Sequence, residues 1–265
     1  MTILQGIILF IAAALGGALN SVAGGGSFIT FPSLVFVGVL PVQANATSTV
    51  ALWPGSVASV GAYRKEILLQ RRVVLLVLGI IGLVGGIAGA ELLVHTSQAT
   101  FVILIPYLML LATVLFAFSK PITTFIRGMS KRTPVMEHTP VSRRSLFIVS
   151  VILLIIAVYG GYFGGGIGIM ILASLGVMGM ENIHEMNGLK TFLQTCINGA
   201  AVVTFIILGA VAWLEVLVMI VGAIVGGFGG AYFARKVDAR LIRGFVIVVG
   251  TSMTIYFFLR SIGIL

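Results

Sequence analysis

The charge map of this chain constrains its fold more than any other feature. Fourteen of the 16 lysines and arginines fall in three short stretches: Arg64, Lys65, Arg71 and Arg72; Lys120, Arg127, Lys131, Arg132, Arg143 and Arg144; and Arg235, Lys236, Arg240 and Arg243. Lys190 and Arg260 are the remaining two. Between the stretches run apolar segments, most of them near the ~20 residues that a helix needs to span a bilayer. Charged residues make up only 9% of the chain, against about 25% in a soluble domain, so a water-exposed globular surface is excluded. The net charge of +9 does not point to nucleic acid, because the basic residues lie between apolar segments with no soluble domain around them. Cys196 is the single cysteine, which rules out an intrachain disulfide or a cysteine metal cluster.

Short basic loops stay cytoplasmic during insertion, so all three stretches belong on one side and an even number of crossings separates them. Two apolar segments, roughly 73–94 and 99–118, lie between the first and second stretches. Four, roughly 146–163, 167–179, 186–209 and 213–233, lie between the second and third. The short 167–179 piece must return the chain to the side it left, as a hairpin or re-entrant loop. Residues 1–63 hold no Lys or Arg, so residues 2–20 read as a retained membrane segment rather than a signal peptide. Counting back from Arg64, a helix over about 46–62 starts outside, and an apolar pair over 3–39, interrupted at Gly24, Gly25 and Gly26, precedes it. Both termini are then expected outside, with loops 63–72, 119–145 and 234–243 in the cytoplasm. Residues 119–145 are too short and too polar to build a core of their own.

The halves resemble each other at a nearly constant offset. NSVAGGGS (20–27) answers GGYFGGGIG (160–168), with the glycine triplets 140 apart, and PSLVFVG (32–38) answers ASLGVMG (173–179) at 141. Asn45 pairs with Asn187 at 142, and GGIAGA (85–90) with GGFGGA (226–231) at 141. The first half starts outside and ends inside, and the second does the reverse. The expected fold is an all-α integral membrane protein of about 8–10 membrane segments. It is an inverted repeat of two five-segment halves, residues 1–118 and 146–265, joined by a basic cytoplasmic linker over 119–145. Each half begins with a glycine-broken hairpin. This architecture belongs to secondary transporters, whose sites lie near the midplane where the repeats meet.

Gly24–Gly26 and Gly164–Gly166 each precede an apolar segment too short to span alone. A glycine triplet can break a helix at membrane depth, and the next helix then presents free N–H groups and its positive dipole end to an anion. Irregular backbone at that depth must be buried in protein or line a wet cavity. Close helix packing is the competing explanation, and it is the better one for Gly85, Gly86, Gly89, Gly226, Gly227 and Gly230. After each hairpin comes a helix with a polar stripe. In the second half Asn187, Lys190, Thr191, Gln194 and Asn198 share one face, and in the first half Asn45, Ser48, Thr49 and Ser56 take equivalent places, with Leu52 against Gln194. Lipid rejects such a face. Trp53 and Pro54 are expected to kink the first of these helices.

Lys190 lies about seven residues into its helix, roughly 10 Å along the axis. A cation there costs a few kcal/mol unless paired or hydrated. It either snorkels to the cytoplasmic surface beside Glu185 or serves as the counter-charge of a transported anion. Its first-half counterpart is Ser48, so Lys190 breaks the pseudo-symmetry. Glu91, His95 and Glu215 fall on the outer side and Glu181, His184 and Glu185 on the inner, as solvated helix ends. His95, His138 and His184 are too dispersed for a metal site, and no cofactor is expected.

These residues resemble the sulfite exporter TauE/SafE permease family: the NSVAGGGS motif from Asn20 to Ser27, its partner GGYFGGGIG, the Asn45 and Asn187 helices, and the duplicated layout with a basic central loop. The resemblance covers nearly the whole chain. It implies export of small sulfur-containing anions such as sulfite, sulfoacetate or other organosulfonates across a bacterial inner membrane. By motif position it makes Asn20, the two glycine triplets, Asn45 and Asn187 the pocket. With the polar stripes, the candidate binding set is Asn20, Gly24, Gly25, Gly26, Ser27, Asn45, Ser48, Thr49, Gly164, Gly165, Gly166, Asn187, Lys190, Thr191, Gln194 and Asn198. The expected partners are the lipid bilayer, a small anionic substrate and a coupling ion, proton or sodium; a homodimer is compatible with the pattern and nucleic acid is not. A passive anion channel would use the same pocket without saturating. An intramembrane enzyme with Ser27 as nucleophile would need a histidine at the same depth, and none is evident.

Overall fold

The computed structural model describes residues 1–22, 25–119, 121, 124, 143–178, 180, 182–233 and 239–261. Among them every regular element is a helix. The first half folds as α1 (Ile3–Val22), α2 (Ser27–Phe36), α3 (Pro41–Ala62), the short α4 (Arg64–Leu68), α5 (Arg72–His95) and α6 (Gln98–Ala117). The second half folds as α7 (Arg143–Tyr162), α8 (Ile167–Val177), α9 (Ile183–Ile207), α10 (Trp213–Phe233) and α11 (Ala239–Ser261). Helices thus stand where the apolar segments predict them, and α4 is an addition: a short five-residue helix directly after α3. Four stretches, within α1, α5, α6 and α9, are by length and composition long and apolar enough to cross a membrane. Most of the 27-residue linker, and Arg235 and Lys236 of the third basic stretch, lie outside the described residues.

Local sequence sets several boundaries. Pro41 opens α3 at its first turn, where a missing N–H costs nothing. Ser97 caps α6 by accepting from Thr100 N at 3.1 Å, and Asn182 caps α9 by accepting from His184 N at 3.0 Å and Glu185 N at 3.4 Å. Pro54 sits inside α3 without ending it.

Packing follows the small residues. Helix α1 lies along α10 and α5 along α7, and at both seams a side chain on glycine would collide with the neighbouring backbone. On the first seam Gly226 faces the Ala14 carbonyl and Gly17 faces that of Ala223. On the second, Gly85 faces Ala157 and Gly89 the Val158 carbonyl, while Gly86 meets the Ile197 carbonyl of α9. Gly227 stands farther off, 4.0 Å from the Gly17 carbonyl. Packing therefore accounts for Gly85, Gly86, Gly89 and Gly226, as expected, whereas Gly227 has room for a side chain; the surroundings of Gly230 lie outside the described residues. One buried cluster draws on α1, α2, α3, α6, α9, α10 and α11 with the C-terminal ends of α5 and α7 against it, with Phe31, Phe101 and Phe205 among its fully buried side chains, and a second joins α5, α7, α8 and α9 around Leu78, Leu153 and Leu193.

The first hairpin returns to the side it left. Gln5 Nε2 donates to the Val37 carbonyl at 3.2 Å, which levels the start of α1 with the end of α2. Gly26 lies against Gly16, eleven residues from that level on either strand of the hairpin, or roughly 16 Å. That is about half of a ~30 Å hydrocarbon core. The α2 N-terminus therefore lies about halfway along α1. Helix α8, with 11 residues, is also about half a span long.

Candidate functional site

The two hairpins and the two polar helices enclose a cavity of about 110 Å³. An apolar hole of ~150 Å³ takes benzene, so a solute of a few heavy atoms fits here. From the first half the wall takes Asn20 at the end of α1, Gly25 and Ser27 at the α2 N-terminus, and Thr49, Leu52 and Ser56 of α3. From the second half come Gly164–Ile169 and Leu172 around the α8 N-terminus, and Lys190, Gln194 and Asn198 of α9; Phe116 of α6 closes one side. Among the described residues no acidic side chain lines it.

The electrostatics follow from the backbone. Neither Gly26 nor Gly166, the residues preceding α2 and α8, makes a side-chain cap. Ile169 N and Met170 N bond back to the Gly166 carbonyl at 3.1 and 3.4 Å, and Phe163 N and Gly164 N to that of Tyr159 at 2.9 and 3.4 Å. Among the described residues no acceptor takes the N–H groups of Gly165, Gly166, Ile167 and Gly168, all of which line the cavity. Gly166 has φ +76°, a left-handed conformation that costs any other L-residue about 1–2 kcal/mol. The break is thus written into its glycines. Two helix N-termini, each equivalent to roughly half a positive charge, open on the same space.

Lys190 adds an amine. Its Cδ would stand 3.5 Å from a Cβ placed on Gly168, so the side chain runs along the α8 N-terminus into the cavity. Glu185 is engaged elsewhere, accepting from Gln70 Nε2 at 2.9 Å and Asn182 Nδ2 at 3.1 Å. Among the described residues no carboxylate pairs with Lys190. Gln194 lies one turn on, its Oε1 3.1 Å from the same point on Gly168. Asn198 completes the row, and its Oδ1 is buried without a partner among the described residues, an atom that solute or water must satisfy.

Several predicted site residues do other work. Asn45, 2% exposed, donates from Nδ2 to the Tyr162 carbonyl at 2.9 Å. Ser48, 1% exposed, pairs with Thr30 Oγ1 at 2.6 Å, and Thr30 also donates to the Gly26 carbonyl. Gly26 packs on the Gly16 carbonyl, Thr191 is buried and accepts from Thr195 Oγ1 at 2.8 Å, and Asn187 is half-buried away from the cavity. Gly24 lies outside the described residues, as do Glu181 and His138. Leu52, Ser56, Phe116, Ile167, Gly168, Ile169 and Leu172 also line the wall, beyond the candidate binding set. Periodicity already places Ser56 and Leu52 on the α3 stripe, and Ile167 and Gly168 stand in the first turn after the triplet, where position alone could have found them; Phe116 comes from a distant helix and carries no such signal. Ser27 has no histidine beside it among the described residues, and Glu91 and His95 pair with each other at 3.4 Å on an exposed face.

One contact ties the two polar helices together. Trp53 Nε1 donates to the Thr195 carbonyl at 3.2 Å, and Thr195 Oγ1 to that of Ser56 at 3.3 Å. Trp53 and Thr195 are 142 residues apart, the same offset that relates the two stripes. The indole also covers Gly199.

The family model described as sulfite exporter TauE/SafE matches residues 9–257. A probable membrane transporter protein, ORF9 of a Sinorhizobium species, is 26% identical over 250 residues, covering 93% of this chain and 90% of the relative. A probable membrane transporter protein of Haemophilus influenzae is 26% identical over 251 residues, 93% and 92% of the two chains. The probable membrane transporter protein YfcA of Escherichia coli K12 is 24% identical over 249 residues, 93% and 87%. No solved structure matches the chain significantly. With nearly its whole length matched, the chain belongs to the sulfite exporter TauE/SafE family and is a multi-pass membrane transporter, not an enzyme.

Proposed function

We propose that the chain exports a small sulfur-containing anion, such as sulfite, sulfoacetate or another organosulfonate, by alternating access around the cavity. One observation carries the reading: two helix N-termini and Lys190 converge on a single space lined by no carboxylate among the described residues. Half a charge from each helix end and one from Lys190 sum to roughly +2, suited to a small anion of one or two charges. The family description supports sulfite or a related anion as the solute.

In this reading residues 1–118 and 146–265 are two inverted repeats joined by the 119–145 linker. The paired helix order supports it, and so does the Trp53–Thr195 contact, because a residue touches its own counterpart only near the axis that relates the halves. The chain lies in a bacterial inner membrane with both termini outside and the three basic stretches cytoplasmic. One repeat bundle rocks or slides against the other to open the cavity to each side in turn, coupled to a proton or sodium gradient. Equilibrium binding of sulfite and sulfoacetate to the purified chain tests the reading: saturable binding of either anion, with no binding of a cation of similar size, is expected. Absence of binding to both would overturn it.

A further inference from the structure

A helix break that presents N–H groups also presents carbonyls, and a carbonyl beside an anion repels it. At the α7–α8 break two such carbonyls are taken by side chains. Tyr159 donates its phenol to the Gly165 carbonyl at 2.8 Å, and Asn45 reaches across from α3 to the Tyr162 carbonyl at 2.9 Å. Tyr159 holds the turn at both ends, since its own carbonyl accepts from Phe163 and Gly164. The next N–H groups along, from Gly165 to Gly168, are the ones that line the cavity unpaired among the described residues. The position equivalent to Tyr159 in the first half, 140 residues earlier, is Leu19, which has no hydroxyl to offer. This anchor is therefore confined to the half that also carries Lys190.

We infer that Asn45 and Tyr159 are positioning residues that set the cavity's preference for anions, by drawing the Tyr162 and Gly165 carbonyls away from the solute and leaving the N–H groups to face it. The inference rests on the anion-carrier reading and goes beyond it: neither residue touches the solute, and each acts through the backbone it holds. Loss of one anchor exposes a dipole whose repulsion scales with the charge of the anion. A merely structural fault would weaken all ligands alike.

The test is a comparison of sulfoacetate, with two negative charges at neutral pH, and methanesulfonate, with one, binding to the full-length chain in detergent. Tyr159→Phe, which removes one hydroxyl and keeps the ring, is expected to weaken sulfoacetate about tenfold and methanesulfonate about threefold, the square root of that factor, as an energy linear in charge requires. Asn45→Ser, which shortens the reach to Tyr162, carries the same comparison if Tyr159→Phe does not yield folded protein. Unchanged binding, or equal losses for both anions, would overturn the inference while the carrier reading stands. Failure of the unsubstituted chain to bind either anion would remove the carrier reading and this inference with it.

Discussion

At the residue scale the account turns on Lys190. Its charge is held in the cavity by α9, beside the free end of α8, with Glu185 already bonded to Gln70 and Asn182. Truncating one partner of a largely desolvated charge pair costs a few kcal/mol. Lys190→Ala is therefore expected to weaken sulfite or sulfoacetate by about 2 kcal/mol, roughly thirtyfold, with little change in melting temperature; isothermal titration and a thermal melt on the same protein check both. Lys190→Arg should retain most of the affinity, since the charge persists. Asn45 teaches a different lesson. Its place in the stripe reads as a ligand, yet its amide serves a backbone carbonyl of the opposite half. Spacing puts a polar group on an inward face without saying whether a solute or a neighbouring helix end receives it.

At the scale of elements, the glycines divide by what surrounds them. Gly166 is required by its φ of +76°, and Gly166→Ala is expected to destabilise the chain by about 1–2 kcal/mol and to lower transport further than this small loss of stability explains, because the α8 N–H groups turn with it. Gly89 is required by contact: its Cα meets the Val158 carbonyl with no room for a Cβ. Gly89→Val should cost about 3 kcal/mol or more through overpacking, seen as loss of folded protein on size-exclusion chromatography. The helices themselves were legible in the sequence because the apolar segments are bounded by charge, proline and caps, and α2 and α8 stand out by being half a span long. Helix α4 was not, since a five-residue turn leaves too short a period to read. The cavity's polar wall was legible as two stripes and two triplets. Its apolar wall was not, because Phe116 arrives from α6 through tertiary packing alone.

At the scale of the whole molecule, the account is one of two halves built alike and set in opposite senses around a shared cavity. In the proposed inverted repeat, the contact between Trp53 and Thr195 lies where the halves meet. Trp53→Ala removes both the hydrogen bond and the cover over Gly199, and is expected to lower the transport rate severalfold while binding at the cavity wall falls less than twofold. Stopped-flow flux and equilibrium binding, measured side by side, check that split. The charge map predicts that fusions of alkaline phosphatase at either terminus are active and that one within 119–145 is silent. The most direct measurement of the central claim is counterflow in proteoliposomes. Preloading with unlabelled sulfoacetate or sulfite should accelerate saturable entry of the labelled anion through the unsubstituted chain and should do so far less through Lys190→Ala. Entry that rises linearly with concentration, gains nothing from preloading and is the same in both proteins would contradict a carrier built around this cavity.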